Sequence, residues 1–247
     1  MVWKPLASDT PRSRPCVPAG TRVYAVGDVH GRADLLRALF RRIDDDLKSA
    51  TTADSIQVFI GDYIDRGPNS RQVIDLLISR RREHQMIFLK GNHEACAAQF
   101  LSDSTQLSEW MLMGGHSTLL SYGVTPMRPK DPASQHQVAT ALRQAVPDSH
   151  RHFIQGLVQS FTCGDFFFAH AGVRPGIPLQ KQSEHDLLWI RGDFLLHEED
   201  FGKVVVHGHT PAREPDIRSN RINIDTGAYA TGRLTCLVLE DARMRFL

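Results

Sequence analysis

Three segments of the chain place candidate metal ligands directly after a short apolar run that ends at glycine. They are Gly27-Asp28-Val29-His30-Gly31, Gly61-Asp62-Tyr63-Ile64-Asp65-Arg66-Gly67 and Gly91-Asn92-His93-Glu94. Buried aspartates are costly unless a positive charge meets them. A carboxylate beside an imidazole suits manganese, iron or zinc better than calcium or magnesium. The three segments therefore predict a metal site.

The elements that would position these ligands are three buried strands, each followed by a helix. Apolar runs predict strands over 22–26, 55–60 and 85–89, and helical spacing predicts helices over 34–47, with Asp34 as N-cap, and 69–82. In open α/β sheets, ligands bind at the carboxyl ends of the strands. Asp28 and His30 are two residues apart on an extended strand end, so they share a face and can reach one ion.

Two charged runs receive structural interpretations. The run Asp44-Asp45-Asp46 is expected to be a solvated helix face, because three successive helical residues point in different directions. The run Arg80-Arg81-Arg82 ends the second helix and complements its dipole. Neither run is assigned to a site.

Residues of about 95–160 show helical patterns only and are expected to form a helical cap insertion beside the site. The stripe from Trp110 to Met113 is expected to be core rather than substrate contact. Further strands are predicted over 165–169, 203–206, 221–224, 234–239 and 244–246. Four histidines of the insertion are expected to be surface or core residues: His116, His136, His150 and His152.

Length, composition and net charge limit the kinds of protein that this chain can be. The chain has 247 residues, 41% of them hydrophobic, and a formal net charge of +1. This predicts one globular domain over 21–247 after an irregular, proline-rich arm over 1–20. The charge balance argues against nucleic acid or an anionic membrane as a partner, and no apolar run approaches the ~20 residues of a membrane helix. Four scattered cysteines and no secretory h-region predict a reducing, cytoplasmic location.

The motifs together resemble a known family. G-D-V-H-G-R, G-D-Y-I-D-R-G and G-N-H-E occur in this order, followed by H-A-G at 170–172 and G-H-T at 208–210. This set is similar to the calcineurin-like metallophosphoesterases, and within them to the phosphoprotein phosphatase branch with its bacterial and phage members. The resemblance covers about Val23 to Leu239. It implies two facing mixed β-sheets flanked by helices, two divalent metal ions and a phosphoester substrate.

The resemblance also implies a role for each motif residue. One ion would be held by Asp28, His30 and Asp62, and the second by Asp62, Asn92, His170 and His209, with Asp62 bridging. A hydroxide shared by the two ions would attack phosphorus directly. His93 would be the general acid, and Asp65 would orient it. Manganese is the expected metal, with iron and zinc as alternatives.

Two arginines and one proline complete the comparison with the family. Arg66 and Arg191 match phosphate-binding arginines, although Arg191 also fits a surface arginine that follows a buried Trp189. Pro211 stands where many family members have another histidine. Proline cannot ligate, so the first ion keeps fewer protein ligands.

The preferred interpretation is a serine/threonine phosphoprotein phosphatase that acts on a phosphorylated protein or a small phosphoester. Asp65 and Glu94, within G-D-Y-I-D-R-G and G-N-H-E, favour this class. The alternative is a dinucleoside polyphosphate hydrolase that cleaves a substrate such as diadenosine tetraphosphate. A non-catalytic binding module is disfavoured, because every ligand and acid–base position is filled.

Overall fold

The computed structural model describes residues 14–48, 54–125 and 131–247. Its strands form two five-stranded sheets. The first sheet contains β1 Thr21–Val26, β2 Asp54–Phe59, β3 Gln85–Phe88, β9 Cys236–Glu240 and β10 Arg243–Phe246. The second contains β4 Ser160–Cys163, β5 Phe166–Ala169, β6 Val204–His207, β7 Asp216–Ile217 and β8 Arg221–Asn223.

Helices follow most of the strands and form the long insertion. Two of them lie between strands of the first sheet: α1 Ala33–Lys48 and α2 Ser70–Arg80. The insertion contains α3 Asn92–Ser102, α4 Leu107–Leu112, α5 Gly115–Ser121, α6 Pro132–Ala145 and α7 Asp148–Gln155, with a 3₁₀ turn at Ser104–Gln106. The second half adds a 3₁₀ turn at Leu179–Lys181 and the helices α8 Glu184–Trp189, α9 Gly192–Leu195 and α10 Ala228–Thr231.

Both sheets are mixed. In the first, the order is β10-β9-β1-β2-β3, and β1, β2 and β3 run parallel so that Val26 pairs with Phe59 and Phe59 with Phe88. In the second, the order is β4-β5-β6-β8-β7, with β5, β6 and β8 parallel. The parallel strands of each sheet therefore end together, and the predicted sandwich of two mixed sheets is confirmed.

Alternation along the strands explains why the sheets face one another. On β1, Val23 and Ala25 join the core between the sheets, while Tyr24 and Val26 join the core under α1 and α2. On β5, Phe168 points to the inter-sheet core and Phe167 to the core under α8 and α9. Because β1 and β5 are buried on both faces, their sequences read as nearly continuous apolar runs.

The insertion builds a hydrophobic core of its own. Phe100 of α3, Trp110 of α4, Leu119 of α5 and Leu142 of α6 are buried together. The rings of Phe100 and Trp110 stack with centroids 5.1 Å apart. This places the Trp110 ring in a core, as predicted. The rest of the stripe is not core, because α4 turns only Leu107 and Trp110 inward: Leu112 is 90% exposed, and Met111 and Met113 are only partly buried.

Several boundaries and local roles differ from the sequence predictions. Helix α1 begins at Ala33, so Asp34 lies in its first turn, and the Asp34 carboxylate pairs with Arg32 rather than capping the helix. The strands β4 and β7 were not predicted. Both are short and pair antiparallel, and β7 has only two residues, too few for a visible period.

The acidic run of α1 is also not a purely solvated face. Asp46 accepts hydrogen bonds from Arg22, Tyr24 and Arg245, and Asp44 accepts from Arg80. These carboxylates tie α1 to the first sheet and to α2. Sequence spacing could not show this, because the arginines come from distant elements.

The chain near its start packs on the sandwich. Val17 is buried in the inter-sheet core, and its N–H donates to Asp241 O at 3.0 Å. Residues 1–13 of the predicted arm lie outside the described residues. None of the described helices combines the length and the apolar character needed to cross a bilayer. Among the described residues all four cysteines are free.

Candidate metal centre

Two clusters of buried ligand atoms share one residue, Asp62. One cluster joins His30, Asp62 and His93, and the other joins Asp62, His170 and His209, with the ligand atoms of each within 4.8 Å of one another. His30 Nε2 lies 3.5 Å from Asp62 Oδ2, and His170 Nε2 lies 3.4 Å from Asp62 Oδ1. The two carboxylate oxygens of Asp62 thus face different histidines, as a bridging ligand requires.

Backbone carbonyls orient two of the histidine rings. Nδ1 of His30 lies 2.9 Å from Ile64 O, and Nδ1 of His170 lies 2.9 Å from Ile60 O. Because a carbonyl only accepts, each Nδ1 carries the hydrogen and donates, which leaves Nε2 with its lone pair toward Asp62. Burial lowers the pKa of His30 to about 3 and also lowers the pKa of His170. Both rings are held neutral, the form that binds metal.

Asn92 and His209 complete the second cluster. Asn92 Oδ1 lies 2.8 Å from His170 Nε2 and 3.1 Å from His209 Nδ1. Burial lowers the pKa of His209 to about 3. Arg191 Nε donates to His209 Nε2 at 3.1 Å, which brings Arg191 to the edge of this cluster. Trp189, two residues earlier, is 37% exposed, so its expected burial was wrong.

Asp28 supplies the test of whether a cation fits here. Its Oδ2 accepts from His209 N at 3.1 Å, while its buried Oδ1 has no hydrogen-bond partner among the described residues. Burial, together with Asp225 and Asp62, raises the pKa of Asp28. A buried carboxylate oxygen without a donor, next to further carboxylates, needs a cation to offset repulsion and lost hydration.

The donor set indicates which cations would fit. The residues around Asp62 offer carboxylate, imidazole and amide donors, the mixed oxygen and nitrogen set that suits manganese, iron or zinc. A side chain at Gly208 would collide with Asp28 Oδ1, and one at Gly91 with Asp62 Oδ1. The glycines therefore leave the space around these oxygens open. The residues present fit two divalent ions.

Glu94 fixes the loop that carries Asp62. Its buried carboxylate accepts from the backbone N–H of Asp62 at 3.0 Å, Tyr63 at 2.8 Å, Ile64 at 3.2 Å and Gly91 at 3.1 Å. A loop with this many satisfied donors holds one shape. Sequence reasoning used Glu94 only to choose between classes. Its position at the third residue of a helix, as in a capping box, was the signal for this role.

Backbone strain is concentrated at the same place. Among the described residues, six non-glycine residues have positive φ, and five of them lie at the site: His30, Asp62, Asp65, Arg66 and His209. Such conformations cost about 1–3 kcal/mol each and persist where surrounding contacts fix them, typically at functional sites.

His93 differs from the other histidines of the site. Its Nδ1 lies 2.8 Å from Asp65 Oδ2, and its buried Nε2 lies 3.7 Å from Asp62 Oδ2 without a hydrogen-bond partner among the described residues. Burial, the largest influence, lowers the pKa of His93, but Asp62 and Asp65 together outweigh it and the net shift is upward. This is the histidine best able to hold a proton.

Aromatic rings border the site at two ends. Arg66 Cζ lies 4.6 Å from the ring centroid of Tyr229, and that ring lies 5.4 Å from the ring of His30. Across the site, the ring of Trp189 lies 6.1 Å from the ring of His209. Tyr229 is 38% exposed, so both aromatic rings remain open to solvent.

Asp225 is a site residue that sequence reasoning missed. It is buried, its Oδ1 accepts from Gly227 N at 2.8 Å, and burial raises its pKa to about 6. It interacts with Asp28 and Asp62 and so adds a carboxylate beside the first cluster. The signal was present, since Ile224-Asp225-Thr226-Gly227 again places an acid after a strand.

His207 and the histidines of the insertion stay outside the clusters. His207 is buried with its ring 4.8 Å from Phe194, and burial lowers its pKa to about 3. His150 is held between Tyr122 and Asp75. Among the described residues these side chains belong to no metal-competent group.

The sequence profile of the family described as calcineurin-like phosphoesterase matches residues 21–237. The chain belongs to this family. The match covers β1 to β8 and every cluster residue named above, so the resemblance inferred from the motifs is confirmed. Dinuclear metal centres and hydrolysis of phosphoesters come with that membership.

Individual relatives divide between two activities. The chain is 25% identical over 231 residues to the asymmetrical bis(5'-nucleosyl)-tetraphosphatase PrpE of Anoxybacillus flavithermus, covering 86% of this chain and 88% of that protein. It is 30% identical over 222 residues to serine/threonine-protein phosphatase 1 of Salmonella typhimurium, covering 86% and 89%. A solved structure assigned as a candidate diadenosine tetraphosphatase superposes with a TM-score of 0.63 at 21% identity, covering 95% of this chain and 98% of that one.

Proposed function

We propose that this calcineurin-like phosphoesterase hydrolyses a phosphoric anhydride bond in a bis(5'-nucleosyl) tetraphosphate. This was the alternative interpretation of the sequence, and the named tetraphosphatases among its relatives favour it over a phosphoprotein phosphatase. The structural observation that carries the proposal is the pair of open aromatic rings, Tyr229 and Trp189, at the two ends of the candidate metal centre. Exposed aromatic rings are platforms for nucleobases.

The residues of the site divide the work of hydrolysis. Asp28, His30 and Asp62 would hold one divalent ion, and Asp62, Asn92, His170 and His209 the other, with manganese proposed as the metal. Bound there, two such ions supply an activated water and neutralise charge on the phosphoryl group. Arg66 and Arg191, at opposite ends of the site, would hold phosphoryl oxygens through their planar guanidinium groups.

His93 is proposed as the general acid. Its Nδ1 is engaged by Asp65, so Nε2 is the atom that would pass a proton to the leaving oxygen. Asp65 keeps the ring oriented and favours its protonated form through the hydrogen bond. A phosphoanhydride has a stable leaving group and needs this proton less than a phosphoserine does.

A second candidate function is a phosphoprotein phosphatase, because its leaving group needs a proton from a general acid. A serine or threonine alkoxide is a poor leaving group, and the buried His93–Asp65 pair suits it. The 30% identity to a serine/threonine-protein phosphatase supports the same activity.

A paired assay separates the two. The manganese-loaded protein is given diadenosine tetraphosphate and a phosphothreonine peptide, and kcat/KM is measured for each. We expect the dinucleotide to be the better substrate, with triphosphate and monophosphate products resolved by chromatography if cleavage is asymmetrical. Faster turnover of the peptide would replace the proposal by the second candidate.

A substitution tests the aromatic platform itself. Stacking of one base is worth about 1–3 kcal/mol, so Trp189→Leu should raise KM for the dinucleotide about 5- to 150-fold. Turnover of para-nitrophenyl phosphate, which carries no nucleobase, should be unaffected. Leu112→Ala, at a position that is also exposed, is the control. An unchanged KM in Trp189→Leu would remove this support.

A further inference from the structure

The helical insertion reaches the acid–base pair through one side chain of α4 and one of α5. Trp110 Nε1 donates to Asp65 Oδ2 at 2.9 Å, and Thr118 Oγ1 donates to Asp65 Oδ1 at 2.6 Å. His93 Nδ1 lies 2.8 Å from the same Oδ2 that receives the indole N–H. Each oxygen of Asp65 is therefore engaged by a side chain of the insertion.

The hydrogens available on these groups determine the direction of each hydrogen bond around Asp65. The indole N–H can only donate, and the single hydroxyl proton of Thr118 goes to Asp65. Ser70 Oγ, 3.0 Å from Thr118 Oγ1, therefore donates to it, and both hydroxyl oxygens accept from the backbone N–H of Asp65 at 3.1 and 2.9 Å. With Asp65 accepting at both oxygens, His93 Nδ1 is the donor in its bond to Asp65. That leaves His93 Nε2 to exchange the proton.

The turn between α4 and α5, together with Ser117 of α5, holds the backbone beside Asp65. Arg66 N donates to Gly114 O at 3.3 Å, and Ser117 Oγ donates to Arg66 O at 3.1 Å. Asp65 and Arg66 have φ of 69° and 65°, a conformation that non-glycine residues keep only when their surroundings impose it. A side chain at Gly114 would come within 2.9 Å of Arg66 N, so the close approach depends on glycine.

We propose that Trp110 and Thr118 are positioning residues for the general acid: they hold the Asp65 carboxylate so that His93 presents Nε2 to the leaving oxygen. Neither needs to touch the substrate. The proposal rests on the acid role assigned to His93 under the proposed function, and it holds for a dinucleotide and for a phosphoprotein alike. It gives the insertion a part in catalysis.

The experiment compares two leaving groups in the manganese-loaded protein. Phenolate is a poor leaving group that needs a proton, whereas para-nitrophenolate departs almost unaided. Trp110→Phe keeps an aromatic ring beside Phe100 and removes the indole N–H, together with part of the volume of the buried side chain. We expect kcat for phenyl phosphate to fall on the order of 10-fold, part of the ~10²–10⁴ that a whole acid–base group contributes, and kcat for para-nitrophenyl phosphate to fall much less.

Three further variants make the result decisive. Thr118→Val should likewise lower kcat for phenyl phosphate more than kcat for para-nitrophenyl phosphate; this difference is called the split. The variant serves as the second test if Trp110→Phe folds poorly. Tyr122→Phe also deletes one hydrogen bond made by an aromatic ring of the insertion, but that bond goes to His150 rather than to Asp65, so neither rate should change. His93→Asn removes the general acid itself, so it should show the largest difference between the losses of kcat for the two substrates. Metal content is measured in every variant and should stay at the wild-type level.

The outcomes separate the two proposals. A split in His93→Asn without one in Trp110→Phe or Thr118→Val overturns the positioning role and leaves the acid role standing. No split in His93→Asn overturns both. Equal losses on the two substrates, loss of metal, or the same split in Tyr122→Phe would show that the insertion only supports the fold.

Discussion

The loops at the sheet edge and the helices α4 and α5 of the insertion contribute to the site in different ways. The loops after β1, β2, β5 and β6 present side chains that converge on Asp62 within 4.8 Å. Helices α4 and α5 provide no member of either cluster among the described residues, yet their side chains donate to both oxygens of Asp65 and to the backbone of Arg66. One region supplies reacting groups and the other holds them in place.

This difference shows what a parallel sheet can and cannot do alone. Strands that end together bring their following residues to one edge at no further cost. They do not fix side-chain direction or a strained backbone, because loop residues have few neighbours of their own. Here Glu94 supplies that support on one side of the Asp62 loop, and Trp110 and Thr118 supply it on the other.

The largest effect is expected from the sheet-edge region, in Asp62→Asn. Asp62 faces both clusters, so replacing one carboxylate oxygen by an amide weakens both ion sites. We expect a loss of activity greater than the ~10²–10⁴ of a single acid–base group, together with loss of metal. Activity and metal content after gel filtration are measured together. Asp45→Asn makes the same chemical change on an exposed surface and should alter neither. Two tightly bound ions in Asp62→Asn would show that Asp62 does not bridge.

The two regions also differ in how well sequence predicted them. The strand-end ligands could be read because each motif follows a buried strand, and strand geometry then dictates where the residues lie. The core position of Trp110 could be predicted from helical spacing. Its N–H bond to Asp65 could not, since it depends on how the insertion docks on the loop after β2. Glu94 and Asp225 had local signals, but their partners come from other segments.

Acid should weaken the sheet region through its buried histidines. Burial lowers the pKa of His30, His207 and His209 from 6.5 to about 3. Between these values the unfolded chain binds protons at these histidines that the folded chain excludes, so their contribution to stability falls as pH falls from about 6.5 toward 3. Burial raises the pKa of Asp28, Glu94 and Asp225, and these carboxyls contribute in the opposite direction. Each histidine contributes up to about 1.4 kcal/mol per pH unit in that window.

His207 allows this to be measured away from the candidate ligands. Denaturant unfolding of chelator-treated protein at pH 7, 6 and 5 gives the slope of stability against pH. His207→Gln should have a shallower slope than wild type, because one group that resists protonation is gone. Leu112→Ala changes an exposed apolar side chain, removes no titratable group and should keep the wild-type slope. Equal slopes in His207→Gln and wild type would mean that His207 is protonated in the folded state.

The smallest effect is expected in the insertion, at the link that Tyr122 makes with His150. Asp75 Oδ1 lies 2.9 Å from His150 Nε2, and Tyr122 Oη lies 2.8 Å from Nδ1. Since the carboxylate accepts, Nε2 carries the hydrogen, and Nδ1 accepts from the tyrosine hydroxyl. Tyr122→Phe leaves buried Nδ1 without a donor, so we expect a loss of about 1–3 kcal/mol in stability.

This loss would appear in denaturant unfolding, with both aryl phosphates hydrolysed at the wild-type rate. The reason is that the link joins the C-terminal end of α5 and α7 to α2, whereas the contacts to Asp65 and Arg66 are made by Trp110, Gly114, Ser117 and Thr118. A destabilised protein of normal activity would confine the catalytic role to those four residues. A fall in rate would instead mean that the position of Asp65 depends on how the whole insertion is anchored on α2. The residues that position the general acid would then include those of the link to α2.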